Sequence, residues 1–453
     1  MDLENSHGSL IQIPKEIVSK LKHGAGGIVF ARTIGFFAGI IISALIARFV
    51  TPAEMGNYFL ILNLAGLFSI LSHFGTPNVL LKHSADAISS GKNGMIWTLL
   101  IRILVLALLS SITISILLWF FDDVIFRSIL NNHELSTFTN YLIFWFVTLG
   151  FQAIFTELLR AHKKFFLAAC VKSPLSSTLT ITFITLFYFL SEIDLSLVLI
   201  ISAAAPLASS VIAFFFYYFQ LSAEKRVNDS SADIQTIQLV KDSFPMLIVG
   251  IGAYIGSHSD IWLISFFTDS TQVAYYGAAA RLVILAGVTL TIANGVLPPF
   301  IAELRQSGDH QQLELLLRKV ASIAAIPSVL AMLLFIFLSS EILSFVYGAQ
   351  YEYAGYILVI LSFGQLSSVL VGSCGYVLIM FGKNKLLMSI TVVTTSISLL
   401  STFILTHYFD GMTAVALAFT GGKIVNQILT LLCCKKYTGI NTAVFLPLNL
   451  KNG

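Results

Sequence analysis

The chain has 453 residues, of which 57% are apolar and only 11% charged, with a mean hydropathy of +0.87. Soluble domains carry roughly 25% charged residues, so water is excluded as the main solvent, and a formal charge of +3 gives nucleic-acid binding no support. Repeated apolar runs of about 18 residues or more point instead to membrane spans.

In chain order, residues 1–24 come first as a basic segment. Ile11, Ile17, Val18 and Leu21 alternate with Lys15, Lys20 and Lys22, a pattern expected of a short interfacial helix on anionic lipid; a disordered basic tail is the alternative. The first apolar run is too long for a cleaved signal peptide, so the N-terminus is expected to stay in the mature protein. Six spans are predicted over Ala25–Val50, Tyr58–Leu81, Met95–Phe121, Tyr141–Leu159, Phe166–Leu190 and Leu195–Phe219. The polar stretch 221–242 then reads as a linker. Six more spans follow at Phe244–Phe267, Val273–Ile301, Val320–Leu338, Tyr356–Phe381, Leu386–Thr406 and Met412–Cys434. This divides the chain into an N-lobe (25–220), a linker (221–242), a C-lobe (243–435) and a tail (436–453).

Cationic loops are retained on the cytoplasmic side of a membrane. With the N-terminus inside, nineteen Lys and Arg fall in cytoplasmic segments and one, Arg127, falls outside. The bias predicts twelve spans with both termini cytoplasmic. Cys170, Cys374, Cys433 and Cys434 lie in or beside apolar runs without disulfide or zinc spacing, and read as structural thiols. No cofactor is expected.

An internal duplication is visible. ARFVTPAEMGNYF from Ala47 aligns without gaps on SFFTDSTQVAYYG from Ser265, an offset of 218 that brings Tyr58 onto Tyr276. LLRAHKKF from Leu158 matches LIMFGKNK from Leu378 at an offset of 220. Six spans per copy is an even number, so the expected fold is an all-α integral membrane protein of two parallel six-helix repeats, related by an axis along the membrane normal. Two such lobes can rock about a cavity between them.

LIARFVTPAEMGNYFLI, SDIWLISFFTDSTQVAYYGAAARLVIL, NGVLPPFIAELRQSGD, FVYGAQYEYAGYILVIL and VLIMFGKNK together resemble the polysaccharide transporters of the multidrug/oligosaccharidyl-lipid/polysaccharide (MOP) exporter superfamily, Wzx-type O-antigen flippases in particular. The first departs from the family turn in carrying Met55 where Phe is common. The resemblance implies a MATE-like fold in a bacterial inner membrane. It implies an undecaprenyl-pyrophosphate-linked glycan as substrate, with membrane lipid, a polysaccharide polymerase and a chain-length regulator as partners.

A charge at mid-bilayer costs roughly 2.5–3.5 kcal/mol on insertion scales and needs a partner, a wet cavity or an escape to the interface. Six cations remain inside the predicted spans: Arg32, Arg48, Arg102, Lys172, Arg281 and Lys423. Basic donors suit phosphate oxygens, so these six are the candidate substrate-binding residues. Lys423 lies deepest, roughly 16 Å from either end of its span at 1.5 Å per residue. Arg48, Arg102 and Lys172 are near enough to an interface to snorkel, and Arg32 reads equally as cavity lining or interface anchor. Asp260 falls at the depth of Arg281, so an ion pair is expected there, with proton coupling as the alternative. His258 and His73 are candidate titrating groups, or simply hydrogen-bonded within the bundle. Pro298 and Pro299 either kink the eighth span or end it.

Two rival functions fit the sequence less well. A multidrug exporter of the same superfamily would present acids to cationic drugs, against the net basic interior here. A membrane enzyme of polysaccharide assembly would need catalytic groups on sizeable outer loops, and the longest has about twenty residues. Walker A, HExxH and GxSxG sequences do not occur.

Overall fold

The computed structural model describes residues 26–91, 94–190, 193–221 and 236–445. Lipid offers the backbone no hydrogen-bond partner, so apolar runs of this length must satisfy their own amides as helices. Twelve helical segments among the described residues are long and apolar enough to cross a membrane, and each overlaps one predicted span. The helices of the first half are α1 (Gly26–Ile46), α2 (Pro52–Ser72), α3 (Thr76–Ser89), α4 (Gly94–Asp123), α5 (Thr139–Ala161), α6 (Phe165–Lys172), α7 (Pro174–Tyr188) and α8 (Leu195–Phe216). The second half holds α9 (Thr236–Phe267), α10 (Ser270–Asn294), α11 (Leu297–Gln306), α12 (His310–Tyr347), α13 (Gly355–Val371), α14 (Cys374–Met380), α15 (Asn384–Leu405) and α16 (Gly411–Thr438).

The duplication is carried by both capping chemistry and packing. Thr51 caps α2 in a reciprocal box with Glu54, and Asp269, at the repeat offset, caps α10 by accepting from the Gln272 amide. Asp194 and Asp410 cap α8 and α16 in the same way. A side-chain oxygen at the N-cap satisfies an amide the helix itself leaves orphaned. In the first half α2 packs on α5, α5 on α8, and α7 on α1 and α8; in the second α10 packs on α13, α13 on α16, and α15 on α9 and α16. The chain is thus two parallel six-span repeats, joined mainly by α2 against α10 and α9 against α2 and α3.

Hydropathy marks membrane depth rather than helix length, and the differences from expectation follow from that. The second span breaks at His73–Gly75, where Gly75 adopts φ +72°, and restarts at α3 behind Pro77. Residues 236–242, read as linker, are the first turns of α9, and α12 runs 38 residues because its charged first turns lie beyond the apolar stretch. The tenth span stops at Val371 before Gly372 at φ +76°, making α14 a separate short helix. Pro298 lies in the first turn of α11, so the proline pair opens a new helix after α10 has ended. The N-terminal interfacial segment lies outside the described residues. Within the predicted tail, residues 439–445 fold back onto α12 and α13: Thr442 Oγ1 donates to the Val371 carbonyl at 2.7 Å, and the Arg318 guanidinium lies 4.1 Å from the Phe445 ring centre. All four cysteines are free thiols.

Candidate functional site

A cavity of about 500 Å³ opens within the second half of the bundle. Its walls come from α9, α10, α13, α15 and α16, with Phe59 and Asn63 of α2 reaching in from the other repeat. The sequence places a cavity between lobes; the structure sets this one asymmetrically, on the side of the second repeat. The reason lies in what the two copies carry. Asn63 and Arg281 are related by the 218-residue offset and both line the cavity, whereas the counterparts of Asp260 and Lys423 in the first half are aliphatic, Ile42 and a residue within Ala203–Ala205.

Of the six candidate cations, the cavity takes Arg281 and Lys423. The Lys423 ammonium donates to Gln365 Oε1. Gln365 is itself lodged against Gly287 of α10, where a Cβ would lie 1.6 Å from the amide nitrogen, so the glycine is required for the close approach. The Arg281 guanidinium lies 5.9 Å from the Phe59 ring centre, a cation–π contact, and 3.7 Å from where a Cβ on Gly39 of α1 would be. Arg281 therefore sits at the seam between the repeats. Among the described residues, no carboxylate lies within 4.0 Å of either head group.

Asp260 lines the same cavity, but its carboxylate accepts from the Tyr276 hydroxyl at 2.8 Å. The expected ion pair with Arg281 is replaced by this hydroxyl contact, because Arg281 turns toward α1 and α2. His258 also reaches the cavity, its ring 4.4 Å from that of Tyr254. Tyr254 in turn donates to the Asn63 carbonyl at 2.9 Å.

The other four cations and His73 lie elsewhere. Arg48 donates to the Phe345 carbonyl at 2.9 Å, tying the ends of α1 and α12 together. Arg32 is exposed on α1, its guanidinium nitrogen 3.0 Å from where a Gly295 Cβ would lie, just past the C-terminus of α10; a cation there complements the helix dipole. Lys172 is exposed at the end of α6, and Arg102, half-buried on α4, is not among the cavity-lining residues. His73 Nδ1 accepts from the Gly75 amide and holds the break between α2 and α3.

The ends of the bundle are closed differently. At the end opposite the basic loops, Asn57 is almost fully buried. It donates to Glu134 at 2.9 Å and accepts from Asn132 at 2.8 Å and Ser270 at 2.9 Å, so one amide joins α2, the α4–α5 loop and the start of α10 across the two repeats. Ser265 donates to the Leu130 carbonyl, and Ser43 meets the Tyr347 hydroxyl at 3.1 Å. At the basic end the repeats meet through α3 and α9, where His83 lies 3.2 Å from Asp242.

Sequence reasoning missed Gln365, Asn63, Ser257, Thr391, Thr395 and Asn426, all cavity-lining. A search for charge overlooks them, yet neutral amides and hydroxyls clustered in predicted spans carry a signal of their own, because each needs a partner in lipid. No group of three or more metal-ligating side chains occurs among the described residues.

The model of the family described as polysaccharide biosynthesis protein matches residues 21–305. No curated protein matches. Among solved structures, a multidrug resistance MATE family transporter of the MOP superfamily in an inward-facing conformation aligns with TM-score 0.69 at 15% identity, over 89% of this chain and 94% of that one. The lipid II flippase MurJ in an inward closed conformation aligns at 0.68 and 17% identity, over 90% and 87%. A MOP superfamily transporter from Pyrococcus furiosus, described as having a binding pocket of reverse polarity, aligns at 0.64 and 16% identity, over 95% and 97%. At these identities the likeness concerns the fold.

Proposed function

The chain belongs to the polysaccharide biosynthesis protein family, with the MOP superfamily fold, and from that premise we propose that it is a flippase for a lipid-linked, anionic glycan. The substrate is an undecaprenyl-pyrophosphate-linked oligosaccharide, an O-antigen unit or a related surface polysaccharide unit. It passes from the cytoplasmic to the periplasmic leaflet of a bacterial inner membrane by alternating access. The observation that carries this reading is the pair of cavity cations, Arg281 and Lys423, neither of which has a carboxylate partner within 4.0 Å among the described residues. A guanidinium and an ammonium with undirected N–H groups form a receptor for phosphate oxygens, while a polyprenyl tail stays in lipid.

The basic loops support a cytoplasmic location for that end of the bundle and for both termini. The latch around Asn57 then closes the periplasmic end, the state in which a cavity loads from the cytoplasm. The test is reconstitution in proteoliposomes, following fluorescent lipid-linked oligosaccharide between leaflets beside efflux of a cationic dye. Glycan movement that Lys423→Ala abolishes supports the proposal; dye efflux without glycan movement overturns it.

One observation favours a second reading. Asp260 is an acid within the cavity, and a multidrug exporter needs one for cationic cargo. Its engagement by Tyr276 and the two nearby cations make it the weaker reading.

A further inference from the structure

The cavity also carries neutral polar side chains, on α9, α15 and α16, that have a polarity of their own. Ser257 donates its hydroxyl proton to the Ala253 carbonyl at 2.9 Å, and Thr391 donates to the Leu387 carbonyl at 3.0 Å. Asn426 commits its amide nitrogen to Thr394 Oγ1 at 2.8 Å. The direction of that last bond is fixed, because the Thr394 proton is directed at the Ile390 and Thr391 carbonyls. That leaves Ser257 Oγ and Thr391 Oγ1 as acceptors, and Asn426 with its Oδ1 acceptor and one remaining amide N–H. Thr395, one turn beyond Thr391 on the same face of α15, shares no hydrogen bond with the described residues and stays free to donate or accept. Gly256 opposite keeps the space open, with the Thr395 hydroxyl 3.7 Å from where a Cβ would be.

Acceptor oxygens bind either a bare cation or a molecule rich in O–H groups. Arg281 and Lys423 outnumber the single Asp260 carboxylate in the same cavity, which is engaged by Tyr276, and the surplus of like charge at short range disfavours the cation. We infer that Ser257, Thr391, Thr395 and Asn426 form a sugar subsite, accepting hydroxyl groups of the sugar next to the pyrophosphate while Arg281 and Lys423 hold the phosphates. This rests on the flippase reading and adds to it a division of labour: the two cations take charge, the neutral side chains take sugar.

The experiment uses the full chain in lipid nanodiscs and two ligands, undecaprenyl pyrophosphate and an undecaprenyl-pyrophosphate-linked disaccharide. The unmutated protein binds the disaccharide lipid more tightly than the sugar-free one. Thr391→Val with Thr395→Val keeps shape and removes both hydroxyls; it lowers affinity for the disaccharide lipid about tenfold, the scale of two lost hydrogen bonds, and leaves the sugar-free lipid unaffected. Thr391→Ser with Thr395→Ser restores most of the difference. Equal loss for both ligands, or none for either, overturns the subsite. So does a sodium-dependent rise in unfolding temperature that the valine variant abolishes, which assigns the wall to a cation. If the unmutated protein binds neither lipid, the flippase reading fails and the subsite with it; if it binds both equally, only the subsite fails.

Discussion

Phe59 on α2 lies directly against Gly277 on α10, the position 218 residues further on that the repeat offset assigns to it. Two positions related by a pseudo-twofold can touch only where the axis passes between them, so this contact marks the axis of the molecule. The duplicated gene product has resolved it as large against small. A Cβ on Gly277 would sit 2.4 Å from the Phe59 ring.

Gly277→Ala is therefore expected to lower stability by about 1–3 kcal/mol, the scale of overpacking a tight interface. Phe59→Leu alone leaves a smaller loss, and the double variant recovers part of the Gly277→Ala defect. Thermal unfolding of the purified protein in detergent reads all three. Strict additivity would show that the two residues do not press on one another.

Lys423→Ala removes the ammonium and leaves Gln365 facing the cavity. Charge-assisted hydrogen bonds contribute about 1.5–3 kcal/mol, so affinity for a pyrophosphate-bearing lipid should fall at least about tenfold while membrane insertion is unchanged. Gln365→Glu makes a sharper test, since a carboxylate at that position neutralises the ammonium without removing it. Binding that survives Gln365→Glu would argue that Lys423 does not contact the anion.

For Asp260 and Arg281 the expected outcome is independence. The carboxylate is held by Tyr276, so reversing both charges together should not restore what either reversal damages, and a double-mutant cycle of Asp260→Asn with Arg281→Gln should close to within about 0.5 kcal/mol. Tyr276→Phe, by contrast, should couple strongly to Asp260→Asn. Unfolding midpoints across the two cycles decide which partner the carboxylate has.

These outcomes bear on what the sequence could convey. All twelve spans and the tandem repeat were legible, because hydrophobic length and the positions of Phe49, Tyr58 and Lys163 against Phe267, Tyr276 and Lys383 survive as one-dimensional patterns. The cavity was legible only in its charges. Depth along a span says how far Arg48 or Lys172 is from water but not which way it faces, and Arg48 turns out to reach the Phe345 carbonyl. Pairing at equal depth failed for Asp260 and Arg281 for the same reason: depth fixes one coordinate, whereas rotation about the helix axis decides contact. Thr391, Thr395 and Asn426 passed unnoticed because neutral residues leave no hydropathy break.

Asn57 offers a handle on the proposed alternating access. It joins Glu134, Asn132 and Ser270 in one buried knot at the end opposite the basic loops, and that knot must come apart for the cavity to open there. Asn57→Ala leaves the partners under-satisfied and weakens the closed arrangement by about 1–3 kcal/mol, enough to raise an open minority by roughly tenfold. A membrane-impermeant thiol reagent against a cysteine placed at Ser257, in a background lacking native cysteines, should label faster from that side in the Asn57→Ala variant. Unchanged labelling would place the barrier elsewhere along α2 and α10.

The segment 439–445 links the chain's end to the transport body. Thr442 donates to the Val371 carbonyl, the Val444 amide to the Leu370 carbonyl at 3.0 Å, and the Phe445 amide to Ser322 at 3.0 Å, so the strap covers the break where α13 ends at Gly372. Helix ends leave carbonyls unpaired, and here the strap supplies their donors. Arg318 binds the strap twice, through the Ala443 carbonyl at 3.2 Å and the Phe445 ring. Truncation after Tyr437 should therefore expose the α13–α14 junction to protease and lower the unfolding temperature, with Arg318→Ala giving a smaller shift in the same direction. If the strap were a passive tail, neither change would alter cleavage at residues 372–373, and Arg318→Ala would match the unmutated protein. The contacts of the strap tie the adjoining ends of α12 and α13 to one another.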